Sequence, residues 1–87
     1  MYFTYVLRSE KTGRLYVGHT SNLEQRLGQH NNGITKSTKN RGPWTVVHSE
    51  AFPTRAEAAR RERFLKTGQG REQLWELLAH EARSPAG

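Results

Sequence analysis

At 87 residues the chain holds one small domain, and a domain of that size buries only about 60–65% of the surface its unfolded form exposes, so every apolar segment must contribute to the core. Fourteen Lys and Arg against eight Asp and Glu leave a formal charge of +6, a basic excess that favours a polyanionic partner such as nucleic acid. With no cysteine, disulfides and thiolate zinc sites are excluded, and no apolar run approaches the ~20 residues of a membrane span.

No signal-peptide pattern opens the chain, so the expected compartment is cytoplasmic, with no membrane partner. Residues 2–8 are aromatic and β-branched, which predicts a strand. A polar turn with Gly13 follows, and 14–17 resumes strand character, so the two segments read as an antiparallel hairpin that Gly18 ends. Ser21 and Glu24 have capping-box spacing, which starts a helix anchored by Leu23 and Leu27 and stopped at Asn31-Asn32-Gly33.

Residues 34–43 are polar and basic and read as a loop, and 44–49 form a third strand around Val46 and Val47. Thr54 and Glu57 repeat the capping-box spacing at the start of a second helix that Gly68 ends. After Gly70 a third helix runs to about residue 82, with Leu74, Leu77, Leu78 and Glu81 on one stripe. The predicted architecture is α+β: a small three-stranded antiparallel sheet flanked by helices, in the order β-β-α-β-α-α, with a domain over 1–82 and a flexible tail over 83–87.

Several residues are poorly explained by folding alone. Arg26 and His30 border the Leu23/Leu27 stripe, where a cation and an imidazole add little stability. The plain alternative is an arginine stem laid on apolar surface and a capping histidine. Glu62 neighbours Ala58, Ala59 and Leu65, the most apolar side of its helix. A carboxylate there needs a cation, a metal ion or water, or else an ion pair with Arg55, Lys66 or a nearby arginine. Tyr5 and Tyr16 lie on the two hairpin strands. Two phenols, a guanidinium, an imidazole and a carboxylate are the parts of metal-assisted phosphoryl chemistry.

With these residues the sequence resembles the GIY-YIG endonuclease superfamily, in particular its small stand-alone members. Phe3-Thr4-Tyr5 stands where the first tripeptide belongs, and Tyr16-Val17-Gly18-His19-Thr20 covers the second. Arg26, His30 and Glu62, the last within Ala58-Ala59-Arg60-Arg61-Glu62, follow in the family's order. Phe3 and Thr4 replace Gly and Ile, a change in strand backbone and packing. Many family nucleases carry a separate DNA-binding domain, for which 87 residues leave no room.

The resemblance implies a one-metal phosphodiester hydrolysis, with DNA as the expected substrate. Glu62 would hold Mg²⁺, with Mn²⁺ as a substitute, and Arg26 would neutralise phosphate charge. Tyr5 would act as general base, with Tyr16 orienting the water or phosphate, the two roles being interchangeable. A phenol of pKa ~10 is a weak base at neutral pH, so His30 and the cationic surroundings are expected to lower the Tyr5 pKa or take its proton. Gly18 would let the substrate backbone approach, and Lys36, Lys39 and Arg41 would grip phosphates without reading sequence. Two rival readings are a nucleic-acid-binding module with vestigial catalysis and a protein-interaction domain with a basic face.

Overall fold

A computed structural model describes residues 1–83 of the chain. Strands β1 (Tyr2–Ser9) and β2 (Leu15–Thr20) are followed by helix α1 (Leu23–Asn31), a short 3₁₀ turn at Lys36–Thr38, strand β3 (Trp44–Phe52) and helices α2 (Arg55–Leu65) and α3 (Gly68–Arg83). The sheet order is β2-β1-β3, antiparallel throughout. The predicted element order and α+β class are those found. No helix among the described residues is long and apolar enough to cross a membrane.

Strand alternation divides the core in two. One face of β1 sends Val6 against Val17 of β2 and Leu65 and Leu74 of the helices. The other face sends Tyr5 and Leu7 against Trp44, with Leu23 and Leu27 of α1 closing over them. Two covered faces explain why β1 is buried at four consecutive positions, Thr4 to Leu7, where a strand open on one side would alternate. On the α2 face the Thr4 hydroxyl donates 2.7 Å to the Ala58 carbonyl, tying that helix to the central strand.

Several boundaries differ from the sequence reading. Helix α1 is capped by Asn22, whose side-chain oxygen accepts from the Gln25 N–H at 3.0 Å, so the Ser21/Glu24 box is not used. Asparagine caps as well as serine, and here Thr20 fixes Asn22 by accepting from its N–H. Strand β2 continues through Gly18 to Thr20, because Gly18 is paired with Tyr5 inside the ladder. Strand β3 runs on to Phe52, since β1 offers partners as far as Tyr2. The Thr54 cap of α2 is present, with Glu57 N–H donating to its hydroxyl at 3.2 Å. Of the α3 stripe, Leu74 is buried and Leu78 packs against the same cluster; Arg83, expected to open the tail, instead ends α3, while the side chain of Glu81 and the rest of the expected tail, 84–87, fall outside the described residues.

Helix α2 ends at Leu65 and α3 begins already at Gly68. Gly70 is therefore not a break between helices but the point where they touch. A Cβ built on it would stand 1.8 Å from the Phe64 carbonyl oxygen and 2.6 Å from the Leu65 Cα. Backbone cannot yield as a flexible side chain does, so Gly70→Ala is expected to cost about 2 kcal/mol, as overpacking does. Thermal unfolding should read this as a fall in Tm of about 10 °C; an unchanged Tm would show that the helices have room to part.

Candidate active site

Tyr5 lies at the centre of the buried sheet and is 1% exposed. Its hydroxyl is 2.9 Å from His30 Nε2, and His30 Nδ1 is 2.7 Å from the Thr38 hydroxyl. The direction of these bonds follows from counting protons. Thr38 has one hydrogen, placed toward the Thr35 carbonyl at 3.4 Å, so it accepts from His30 Nδ1–H. Nε2 is then bare and accepts the Tyr5 proton. The neutral imidazole this requires agrees with burial, which together with the nearby Arg26 charge lowers the His30 pKa to about 4. The Trp44 indole donates to the Thr38 carbonyl at 3.1 Å and fixes the far end of the chain.

Tyr16 closes the same cluster from β2. Its ring centroid is 4.8 Å from that of His30, edge to face, and 6.4 Å from that of Tyr5. It is half-buried, whereas Tyr5 is enclosed. Arg26, one helical turn before His30, donates Nη1 to Gln29 at 2.9 Å and lies beside both phenols, where contact with the Tyr5 hydroxyl raises its own pKa against the opposing effect of burial. Burial raises the Tyr5 pKa, and Arg26 offsets this only in part while Tyr16 and Glu62 add to it. The expectation that cationic surroundings would lower it is therefore corrected: removing the phenol from water outweighs one guanidinium.

Glu62 approaches from the other face of the sheet. On β2, Tyr16 and Gly18 point toward α1, and alternation turns His19 toward α2. There His19 Nδ1 meets Glu62 Oε1 at 2.7 Å, and Lys66 Nζ meets Oε2 at 2.8 Å. Of the expected ion-pair partners, Lys66 is the one present; Arg55 instead covers the Tyr2 ring. Burial works to raise the Glu62 pKa, but Lys66 and His19 hold it below the usual carboxylate value. Lys66 also lies 5.9 Å from the Tyr16 ring centroid. Tyr5, Tyr16, Arg26 and His30 thus meet on the α1 side of the sheet, and Glu62 lies on the α2 side, linked to them by Lys66 beside the Tyr16 ring.

Gly18 sits where the two sides meet, and its smallness has a cause other than the one anticipated. A Cβ there would stand 2.5 Å from the Tyr5 hydroxyl, so the position is kept clear for the phenol. Lys36, Lys39 and Arg41 are exposed on the segment between α1 and β3. That segment is anchored from within by Thr38 and by the Arg41 carbonyl, which accepts from the Ser9 hydroxyl. His19, Lys66 and Thr38 are site members that the sequence reading did not select as such. Strand alternation from Thr4 could have placed His19 opposite α2, but a threonine in a polar loop carries no signal.

Among the described residues no cluster of three or more His, Cys, Asp or Glu could hold a metal ion. One carboxylate backed by water suits a hard, strongly hydrated cation such as Mg²⁺, and Glu62 offers an ionised one. Its two oxygens are engaged by His19 and Lys66, so a cation there would have to exchange with the ammonium.

A profile described as the GIY-YIG catalytic domain matches residues 1–74. A UPF0213 protein of Clostridium perfringens is 43% identical over 67 residues, spanning 76% of this chain and 71% of the relative. One from Halobacterium salinarum is 37% identical over 67 residues, 76% and 86% of the two chains. The solution NMR structure of the UPF0213 protein of Bacillus halodurans superposes with a TM-score of 0.54 at 34% identity, over 88% of this chain and 85% of that one.

Proposed function

The chain belongs to the GIY-YIG catalytic-domain family, and from that membership we propose that it is an endonuclease hydrolysing nucleic-acid phosphodiester bonds, DNA first, with a single divalent cation, Mg²⁺ or Mn²⁺. The observation that carries this reading is the convergence of Tyr5, Tyr16, Arg26 and His30 on one side of the β2 edge with Glu62 on the other. Structural needs alone do not account for a buried phenol–imidazole–hydroxyl chain beside a guanidinium.

Glu62 would be the cation's protein ligand, and the cation, when bound, would supply Lewis-acid polarisation of the phosphate and stabilisation of the leaving oxygen. Arg26 binds a non-bridging phosphate oxygen and neutralises charge as it grows. Tyr16, half-buried at the β2 edge, takes the proton of the attacking water as a phenolate whose own proton has first passed to solvent, the role first given to Tyr5. Tyr5 gives its own proton to His30 and offers a lone pair to Arg26, so it holds the guanidinium in place. Thr38 fixes the His30 tautomer that makes this possible. Lys36, Lys39 and Arg41 contact flanking phosphates. The engagement of both Glu62 oxygens favours one rival, a nucleic-acid-binding module whose catalysis has faded.

Cleavage separates the two. Purified protein with Mg²⁺ or Mn²⁺ is expected to nick or cut single-stranded, branched or duplex DNA. Tyr16→Phe should slow cutting about a hundredfold, the scale of general-base catalysis, with binding retained. Folded wild-type protein that cuts none of these substrates with either cation would remove the nuclease reading.

A further inference from the structure

A cleft of about 710 Å³ opens beside the site, between the β1–β2 turn, the end of α2 and the first turns of α3. Its floor is apolar, formed by the buried Leu65 and Leu74. Arg14, Lys66 and Arg71 line it, no Asp or Glu does, and Tyr16 belongs to its wall. Trp75 also lines it and is 58% exposed, whereas the chain's other tryptophan, Trp44, is 4% exposed. A single exposed aromatic is unremarkable. Here it shares a walled groove with three cations and with the Tyr16 phenol.

We propose that this cleft binds an unpaired nucleotide next to the cutting site, with its base stacked on Trp75 and its phosphates held by Arg14, Lys66 and Arg71. The placement of the cutting site rests on the endonuclease reading; the binding surface itself does not. Trp75 follows Arg71 by one helical turn, so ring and guanidinium rise from one face of α3. Exposed aromatics interleaved with cations are how proteins hold single strands, since every base has a face to stack. A base inside a duplex has both faces covered by its neighbours, so occupancy of the cleft requires a strand that is single or locally opened. The volume lies within the ~300–1,000 Å³ range of small-ligand sites, which suits a nucleotide or two but not a double helix. The substrate class that follows is nucleic acid with a single-stranded segment, such as a flap, a gap or a free strand. Lys66 stands at the junction, bonded to Glu62 and lining the cleft, so a phosphate in the cleft would draw it toward the groove and away from the carboxylate.

The test measures binding without divalent cation, using oligothymidine, oligouridine and a duplex of equal length. Single strands are expected to quench the exposed indole, and Trp75→Ala to weaken single-strand binding about tenfold or more, with Trp75→Phe retaining most of it and duplex binding changed less than about twofold. Replacing Arg14 and Arg71 together with Ala should lower the slope of log affinity against log salt by about 1.4, two contacts at ~0.7 each for a single strand. Quenching by one oligomer alone would name DNA or RNA as the occupant. Equal binding of single strands by wild type and Trp75→Ala, or preference for the duplex, would overturn the proposal. Wild type that quenches with single strands yet never cuts would instead remove the nuclease reading and leave the binding cleft standing.

Discussion

Glu62→Gln is expected to slow cutting by about a thousandfold or more, with nucleic-acid binding changed less than about twofold. A loss of that size is roughly 4 kcal/mol of transition-state stabilisation, which is what withdrawing a Lewis acid from a phosphoryl transfer removes. The amide keeps the shape of the side chain but not its charge, and among the described residues no cluster of three or more His, Cys, Asp or Glu could hold the cation in its place. Structural loss should be small by comparison. Glu62 is paired at the surface with a half-exposed Lys66, and such pairs contribute about 1 kcal/mol at most. Cleavage, oligonucleotide binding and Mn²⁺ binding measured on one preparation separate the effects: the variant should bind strands, lose Mn²⁺ and cease to cut. Undiminished cutting would mean that the wild-type activity came from a contaminant or from other residues.

Glu62 was legible in the sequence because helical periodicity set a carboxylate among Ala58, Ala59 and Leu65, where no folding need put it. Arg26 and His30 were legible for the same reason, bordering the Leu23/Leu27 stripe. Periodicity says which side of a helix a residue occupies but not what the facing element brings. The pairing of His19 with Glu62 and of Thr38 with His30 joins residues 43 and 8 positions apart, and neither bond leaves a local trace. Glycines misled in a consistent way. Gly18 was read as ending a strand and Gly70 as preceding the third helix, yet each marks close approach inside an element, to the Tyr5 hydroxyl in one case and to the α2 backbone in the other. A glycine that ends an element and one that lets two elements meet look the same in a single chain. Trp75 lies off the Leu74/Leu78 stripe, and only the cleft gives its exposure a meaning.

Acid should weaken the fold well before the carboxylates titrate, and His30 is the cause. Its folded pKa is pushed down to about 4 from 6.5, by burial first and by Arg26 second. Between those values the unfolded chain binds a proton that the folded chain refuses, so stability falls as pH falls through that window. At about 1.4 kcal/mol per pH unit, the loss is about 2 kcal/mol from pH 6.5 to 5 and about 3 kcal/mol by pH 4. Glu50 and Glu62 add a separate loss. Both are held below the ordinary carboxylate value of 4.5, Glu50 by Arg61 and His48 and Glu62 by Lys66 and His19, in each case against the opposing effect of burial. Their contribution is intact above that value and disappears only as pH falls below it. The interval from pH 6.5 to 5 thus lies above both carboxylates, and comparison with a His30 variant separates this imidazole from the chain's other histidines. Urea unfolding at pH 7 and pH 5 should show the wild type losing about 2 kcal/mol, while His30→Gln, which offers Tyr5 an acceptor and Thr38 a donor but does not titrate, should start less stable and stay level between the two. The same loss in the Gln variant, or none in the wild type, would mean that His30 accepts a proton where it stands. The direction assigned to the Tyr5 hydrogen bond, and with it the placement of Arg26, would then have to be reversed.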